Sequence, residues 1–321
     1  MSAPVRIADP GLYFDMACDD YFADPCPQPS LSNSGIGILL NQSPAHFAAQ
    51  HPRLNGGADA KKVSAQMHRG SVVHRLALGA GKEYVIIDSD AYRTKEAKAA
   101  RDQAEENGLV PILAHKFEEA EAQAKVLRQH LDEMLLGEEF LPEVVVAWQI
   151  ETKHGLIWCR GMIDAWCPKL LTAVDLKSTV DASPTAATRR MVNGGYDTQD
   201  AWYSRGIGHV IGEPGRVCFT TLFSENEAPF ASHAVTIDEA WRSSSWDLCE
   251  EAAEIFARCS KAKQWPGYPR TPQRLSPPDW LISQRMFRGF AREGHAELDD
   301  SPFTTTDEET TNDAARPQVR S

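Results

Sequence analysis

Three apolar segments follow one another with only a few residues between them: EVVVAWQIE (143–151), LIWCRGMIDAWC (156–167) and LLTAVDLKST (170–179). Each has the length of a strand and is rich in Val, Ile, Trp or Thr. The intervening TKHG (152–155) has the make-up of a hairpin turn. A chain with three such strands in succession has to build a sheet around them. Helical patterns lie on both sides, so the expected fold is a mixed α/β domain, with one central mixed sheet flanked by helices.

The flanking segments follow from periodicity and punctuation. Residues 1–30 are rich in Pro and Asp and read as mostly irregular. SLSNSGIGILLNQSPAHFAAQ gives two short helices, with Ser32 capping the first, and Ser43 capping the second ahead of Pro44. Residues 51–60 read as a loop. KKVSAQMHRGSVVHRLALG reads as a helix with Val63, Met67, Val73 and Leu76 on its apolar positions and Gly79 at its stop. YVIID (84–88) is a short strand. Residues 95–136 read as helical, with Pro111 opening a second helix. Beyond the three strands come helices over 184–193 and 196–210, split by Gly194 and Gly195. Strands RVCFTTLF and ASHAVTI, a long helix over 238–263 and a short helix DWLISQRMF complete the pattern. From 292 the chain is polar and acidic, which predicts a disordered tail over 292–321. The expected organisation is an N-terminal irregular and helical segment (1–60) packed on the core, a core domain (61–291) and the tail.

The strands carry the wrong residues for plain sheet. Asp164 interrupts one apolar run and Asp175 the next, with Lys177 two residues on. A carboxylate buried at such a position costs several kcal/mol unless it is paired. Consecutive strands let Asp164 and Asp175 converge, and two converging carboxylates repel unless a hard cation lies between them. Mg²⁺ suits one or two carboxylates and keeps several waters. Asp175 and Lys177, two apart in a strand, share a face. The Leu176 side chain points the other way and leaves its carbonyl oxygen as a further ligand. Metal, activated water and ammonium together suit phosphodiester hydrolysis.

The pattern D-x10-D-x-K across two strands resembles the PD-(D/E)xK nuclease superfamily. LSNSGIGILLNQSPAHF, GSVVHRLAL, E…W…CRGMIDAW, VDLKST and YDTQDAWY stand in the order of the RecE-like (exonuclease VIII) branch, close to RecB-type nuclease domains. The resemblance spans roughly residues 21–205, and it implies a restriction-endonuclease-like core. By position it implies metal ligation by His74, Asp164, Asp175 and the Leu176 carbonyl, with Lys177 as the catalytic lysine. Glu143 opens the strand before that of Asp164, where related nucleases carry an acid. Gln199 and Tyr203, at i and i+4 on one helix face, match a pair that borders the site and the DNA end. Arg160, four before Asp164 and on the same strand face, is a candidate phosphate contact. The implied activity is Mg²⁺-dependent degradation of linear double-stranded DNA from its ends, 5′ to 3′, with Mn²⁺ as a substitute metal. A ring-shaped homo-oligomer and a RecT-like single-strand annealing partner are implied as well. The rivals are an endonuclease of the same superfamily and a catalytically inactive DNA-binding scaffold.

Composition narrows the frame. A net charge of −12 argues against a protein that coats nucleic acid through bulk electrostatics, but leaves room for a local basic channel. Cysteines at 18, 26, 159, 167, 218, 249 and 259 form no CxxC and read as reduced thiols, without an iron–sulfur or zinc pattern. There is no Walker A motif, hence no ATP-driven motor. With neither an export signal nor an 18-residue apolar run, a cytoplasmic location without membrane contact is expected.

Overall fold

A computed structural model describes residues 6–56 and 65–286 of the chain. It divides into two units, Met1–Tyr268 and Pro269–Ser321. In the second, the described residues reach 286 and hold a short helix over 279–286, with Leu281 and Ile282 donating to the Pro278 carbonyl. The segments 57–64 and 287–321, with Val63 and the acidic tail, lie outside the described residues.

The first unit opens with β1 (Gly11–Tyr13), α1 (Cys18–Phe22), β2 (Ser30–Leu31), α2 (Asn33–Asn41) and α3 (Pro44–Gln50). Residues 1–30 thus contain three short elements not foreseen from composition. β1 and β2 are too short and too polar to read as strands alone; they exist because longer strands offer them a ladder. Ser43 caps α3 through a hydrogen bond from His46 N, with Pro44 at the first helical position, as expected. Ser32 stands at the start of α2 but makes no capping bond.

Next come α4 (Ala65–Leu78), β3 (Tyr84–Ile87), α5 (Lys95–Glu106), β4 (Val110–Leu113) and α6 (Ala114–Met134). Here one expectation is corrected. Pro111 does not open a helix; it is the second residue of β4, paired in parallel with Val85 of β3. Gly108, at φ +73°, ends the preceding helix, and the apolar run Leu109–Leu113 forms strand before α6 begins. β3 and β4 make a two-stranded sheet, so both have a free edge, where a missing N–H is tolerated.

The meander predicted from the sequence is present as β5 (Leu141–Thr152), β6 (Gly155–Cys167) and β7 (Thr172–Thr179). After it come α7 (Pro184–Asn193), α8 (Tyr196–Ile211), β8 (Cys218–Glu225), β9 (Ser232–Val235) and α9 (Glu239–Ala262). The sheet runs β1-β5-β6-β7-β8-β9, with β2 added in parallel to β6. β5, β6 and β7 are mutually antiparallel, whereas β8 lies parallel to β7 after the α7–α8 crossover.

Both faces of the sheet are covered. α2, α3, α8 and α9 bury Val146, Trp148, Ile163, Trp166 and Phe219 on one side, with Trp202 and Phe256 from the helices. α4 and α6 bury Ala165, Cys167, Val174 and Leu222 on the other. Each fully buried large side chain contributes about 1.5–3 kcal/mol. No helix among the described residues is long and apolar enough to cross a membrane.

Candidate active site

The ladder itself gathers the charges. Pairings Pro142–Ala165 and Val144–Ile163 bracket Glu143 and Asp164, so these two stand opposite one another. The β6–β7 ladder, last paired at Ala165–Val174, leads on to Asp164 and Asp175. Three carboxylates therefore fall on one rung of three strands. The strands are irregular there. Up to Ile163, the odd residues of β6 pack under α8 and α9; beyond Asp164 it is Trp166 that does so, while Ala165 and Cys167 turn to α4 and α6. Opposite, Glu143 takes φ +50°, a left-handed conformation that costs about 1–3 kcal/mol in a non-glycine residue. Past this point β6 and β7 part, and the main-chain ladder gives way to side chains: Leu176 N donates to Asp164 Oδ2 at 2.7 Å.

Helices close the rung from both faces. His74 of α4 places Nε2 3.1 Å from Asp164 Oδ1 and Nδ1 3.7 Å from Glu143 Oε1. Asp175 is ion-paired with Lys177, whose ammonium also lies 4.9 Å from the Tyr196 ring centre. Gln199 of α8 donates to Asp175 Oδ1 at 2.5 Å. Tyr203, one turn on, packs its ring over Gly161 and accepts a hydrogen bond from Met162 N at 3.3 Å. Cys18 of α1 lies 3.6 Å from Glu143 Oε1. Cys18, His74, Glu143, Asp164, Lys177 and Tyr196 border a cleft of about 740 Å³ that also touches Met67, Ser71 and Lys82, with Asp175, Gln199 and Tyr203 buried behind it. Met67, expected on the apolar stripe of its helix, is 55% exposed at this cleft.

Burial and charge pull the two aspartates apart. Asp175 is raised to about 6: burial dominates and Asp164 adds to it, against Lys177 and the Gln199 amide. Asp164 suffers the same burial, but His74, Lys177 and the Leu176 N–H outweigh it and hold its carboxyl below the usual range. His74 is raised in turn, since Asp164, Glu143 and Asp175 overcome the effect of burial. Lys177 is likewise raised, by Asp175 and Asp164 against burial.

The donor set can be tested against a metal ion. Among the described residues no three His, Cys, Asp or Glu side chains form a ready-made metal cage. His74 bridges Asp164 and Glu143, and Lys177 holds Asp175. Yet Asp175 Oδ2 is buried with no aligned hydrogen bond, facing only the Lys177 charge. Converging carboxylate oxygens, one of them balanced only by the Lys177 ammonium, fit a hard divalent cation.

Of the residues singled out in the sequence, the structure brings His74, Glu143, Asp164, Asp175, Leu176, Lys177, Gln199 and Tyr203 together. Arg160 is apart. It is 5% exposed, bonded to Asp24 at 3.1 Å and to the Ser30 carbonyl, with its guanidinium over Tyr21. The expected phosphate contact is therefore corrected: this arginine is committed to the fold. Gln199 and Tyr203 are also buried and act inward, on Asp175 and on the β6 backbone. Three neighbours escaped sequence reasoning. Cys18 carries no pattern. Tyr196 stands three residues before Gln199, so proximity could have flagged it. Gly81 has φ +112°, and a Cβ there would meet Glu143 Oε1 at 3.0 Å and His74 Nδ1 at 3.6 Å. Its signal was the pair of glycines in LGAGKEY.

No curated protein sequence matches the chain. A solved structure of a candidate exonuclease from Eubacterium rectale is similar with a TM-score of 0.50 at 14% identity, covering 80% of this chain and 92% of its own. A phage-related exonuclease from Haemophilus somnus 129PT aligns over 60% of this chain and 95% of its own, at 12% identity and a TM-score of 0.27. The first likeness speaks for the fold; the second is too distant to carry an argument. Residues 34–271, which take in α4, β5, β6, β7 and α8, match the model of the PDDEXK-like domain of unknown function DUF3799, and the chain belongs to that family.

Proposed function

We propose that this protein is a Mg²⁺-dependent exodeoxyribonuclease that degrades linear double-stranded DNA from its ends, 5′ to 3′, and leaves single strands for recombination and annealing. The observation that carries this reading is the buried Asp175–Lys177 pair beside the His74–Asp164 pair, on one rung of a PDDEXK-like fold. Nucleases of this kind generally use divalent metals, and the convergence of Asp164 and Asp175 beside Lys177 supports one here.

His74, Asp164, Asp175 and the Leu176 carbonyl would hold the cation, which supplies Lewis-acid polarisation of the phosphate and charge compensation; Mn²⁺ would substitute. Lys177 orients the attacking water and stabilises the charge that develops on the phosphate. Gln199 fixes the Asp175 carboxylate, and Tyr203 fixes the backbone of β6 beside Asp164. Glu143 shares His74 with Asp164 and tunes its charge. A homo-oligomeric ring and a RecT-like annealing partner complete the proposal, on the strength of the RecE-like motifs.

The test is digestion of an end-labelled linear duplex with Mg²⁺ beside a covalently closed circle, for wild type and Lys177→Ala. Loss of the linear species alone, abolished by the substitution, is expected, and the released label gives the direction. Cutting of the circle would point to an endonuclease; survival of both substrates with every divalent metal would point to a scaffold.

A further inference from the structure

A second large cavity of the first unit is lined by none of the carboxylates of the rung. It measures about 1090 Å³ and lies between β5, α8 and α9, on the side of α8 that carries Arg205 and His209. That exceeds the usual range for small-molecule pockets, about 300–1,000 Å³. Six consecutive residues, from Trp148 to Lys153, line it. Alternate residues of a strand point to opposite faces, so a cleft touched by six in a row runs along the strand's edge. The topology agrees. One side of β5 is paired with β6 throughout, while β1 covers the other only from Val145 to Ala147. Beyond Ala147 no strand among the described residues pairs with that edge. Only at its end does a side chain intervene, where Lys153 N donates to Glu254 Oε1 at 3.0 Å.

The surroundings select an occupant. Ile150, Val217 and Trp246 offer apolar surface. Glu151, Glu250, Glu251 and Glu254 border the cleft, and none of them forms a salt bridge among the described residues. Glu254 Oε2 is buried without a hydrogen-bond partner. Of the basic residues that line it, Arg242 is already bound to Asp200 and Glu239, Arg205 lies over Trp246, and Lys153 and His209 stand at the rim; the five glutamates Glu151, Glu239, Glu250, Glu251 and Glu254 outnumber these cations. An open strand edge satisfies its N–H and C=O groups with another strand, and the excess of glutamates around it calls for positive charge on that strand. We propose that this cleft docks an extended, basic segment of a partner protein, with lysine or arginine alternating with apolar residues, added as a strand to the outer edge of β5. The proposal does not depend on the nuclease reading, and such docking leaves the carboxylate cleft open.

The experiment uses the full chain and three capped octapeptides: alternating Lys-Val, alternating Glu-Val, and the Lys-Val peptide N-methylated at alternate residues. Binding is read by anisotropy, and the site by amide hydrogen exchange. The Lys-Val peptide is expected to bind saturably and to slow exchange over Gln149–Thr152. The Glu-Val and N-methylated peptides should bind at least about tenfold more weakly. The exposed pair Glu250→Lys and Glu251→Lys should reverse the charge preference while nuclease activity is kept. Equal binding of all three peptides, or absence of protection over Gln149–Thr152, would overturn the proposal. Protection that rises with protein concentration alone would overturn it too, by assigning the edge to a second copy of this chain.

Discussion

β6 carries two buried charge clusters four residues apart, and they are built in opposite ways. Around Arg160, Asp24 receives Ser30 N at 2.9 Å and Ser30 Oγ at 2.7 Å, with His51 at 3.2 Å and Arg160 at 3.1 Å. Burial works against the Asp24 carboxylate, yet these partners prevail and hold it below the usual range. Around Asp164 the rung is more sparsely provided: Asp175 has one amide on Oδ1 and one ammonium on Oδ2, and is pushed up to about 6. Both clusters put charge where a sheet wants apolar side chains. The first is closed and serves the fold; the second holds its carboxylate with fewer donors and at a raised pKa, the mark of a site built for chemistry.

The largest way to break this comparison is at the sparser cluster. Asp175→Asn and Lys177→Ala should each cut DNA hydrolysis by about 10²–10⁴-fold; Asp175→Asn removes a carboxylate strained by burial and should leave thermal stability near that of the wild type, whereas Lys177→Ala takes away the cation that faces this carboxylate and should lower it. Activity and melting assays on the same preparations check both halves. Next comes the closed cluster. Asp24→Ala strands the Arg160 guanidinium inside the protein and should cost about 3–5 kcal/mol of stability. Denaturant unfolding reads that loss, and whatever remains folded should retain its activity. If Asp24→Ala instead abolished catalysis at full stability, the division between the two clusters would fail.

Much of this was legible in the sequence, and the limits have physical causes. The β5–β6–β7 meander could be read because each strand carries its own apolar pattern. Asp164, Asp175 and Lys177 could be read because charges in such strands demand an explanation. Pro111 misled because a proline after a helix is equally good at a helix start and on a free strand edge; only the pairing with β3 decides. Arg160 misled because strand parity gives the face and not the company: it does share a face with Asp164, but Asp24 reaches it from a segment 136 residues earlier in the chain. Gly81 and Cys18 arrive from loops and a short helix whose paths are set by packing, so no local pattern announced them.

Titration sharpens the same contrast. Asp175 is raised to about 6 from an ordinary value near 3.8, so the folded state binds its proton more tightly than the unfolded state does. Its stability contribution is full below about pH 3.8 and is lost as pH rises through about 6, with an upper bound of about 3 kcal/mol. Asp200, raised to about 6 mainly by burial, and His74, raised by its carboxylate neighbours, act in the same direction. Asp24, lowered, acts oppositely: its contribution is present above the ordinary carboxylate value and is lost in acid. In chelator, the melting temperature of the wild type should therefore fall between about pH 4 and 6.5, with His74 extending the fall upward. Asp175→Asn should flatten part of that fall, leaving the share of Asp200. Mg²⁺ should restore stability at the upper end of the range and do little at the lower. A fall of equal size with and without Mg²⁺ would separate Asp175 from metal binding.

The smallest effect expected is at Gln199. Its amide holds Asp175 Oδ1 from α8 and is 7% exposed, so it acts on the carboxylate and not on DNA. Gln199→Ala deletes one hydrogen bond to a charged group, worth about 1.5–3 kcal/mol when the acceptor is ionised, and should slow hydrolysis about ten- to a hundredfold. A structural role alone would lower stability and leave the metal requirement as it was. A positioning role should raise the Mg²⁺ concentration needed for half-maximal activity and shift the acid limb of the pH profile upward, since Asp175 loses a donor that favours its charged form. Gln199→Glu places a second carboxylate against Asp175 and should be worse than alanine on both readouts. The comparison of the two clusters requires that order, because only a sparsely provided carboxylate is this sensitive to its last neutral donor; equal effects of alanine and glutamate would mean that Gln199 merely fills space beneath the rung.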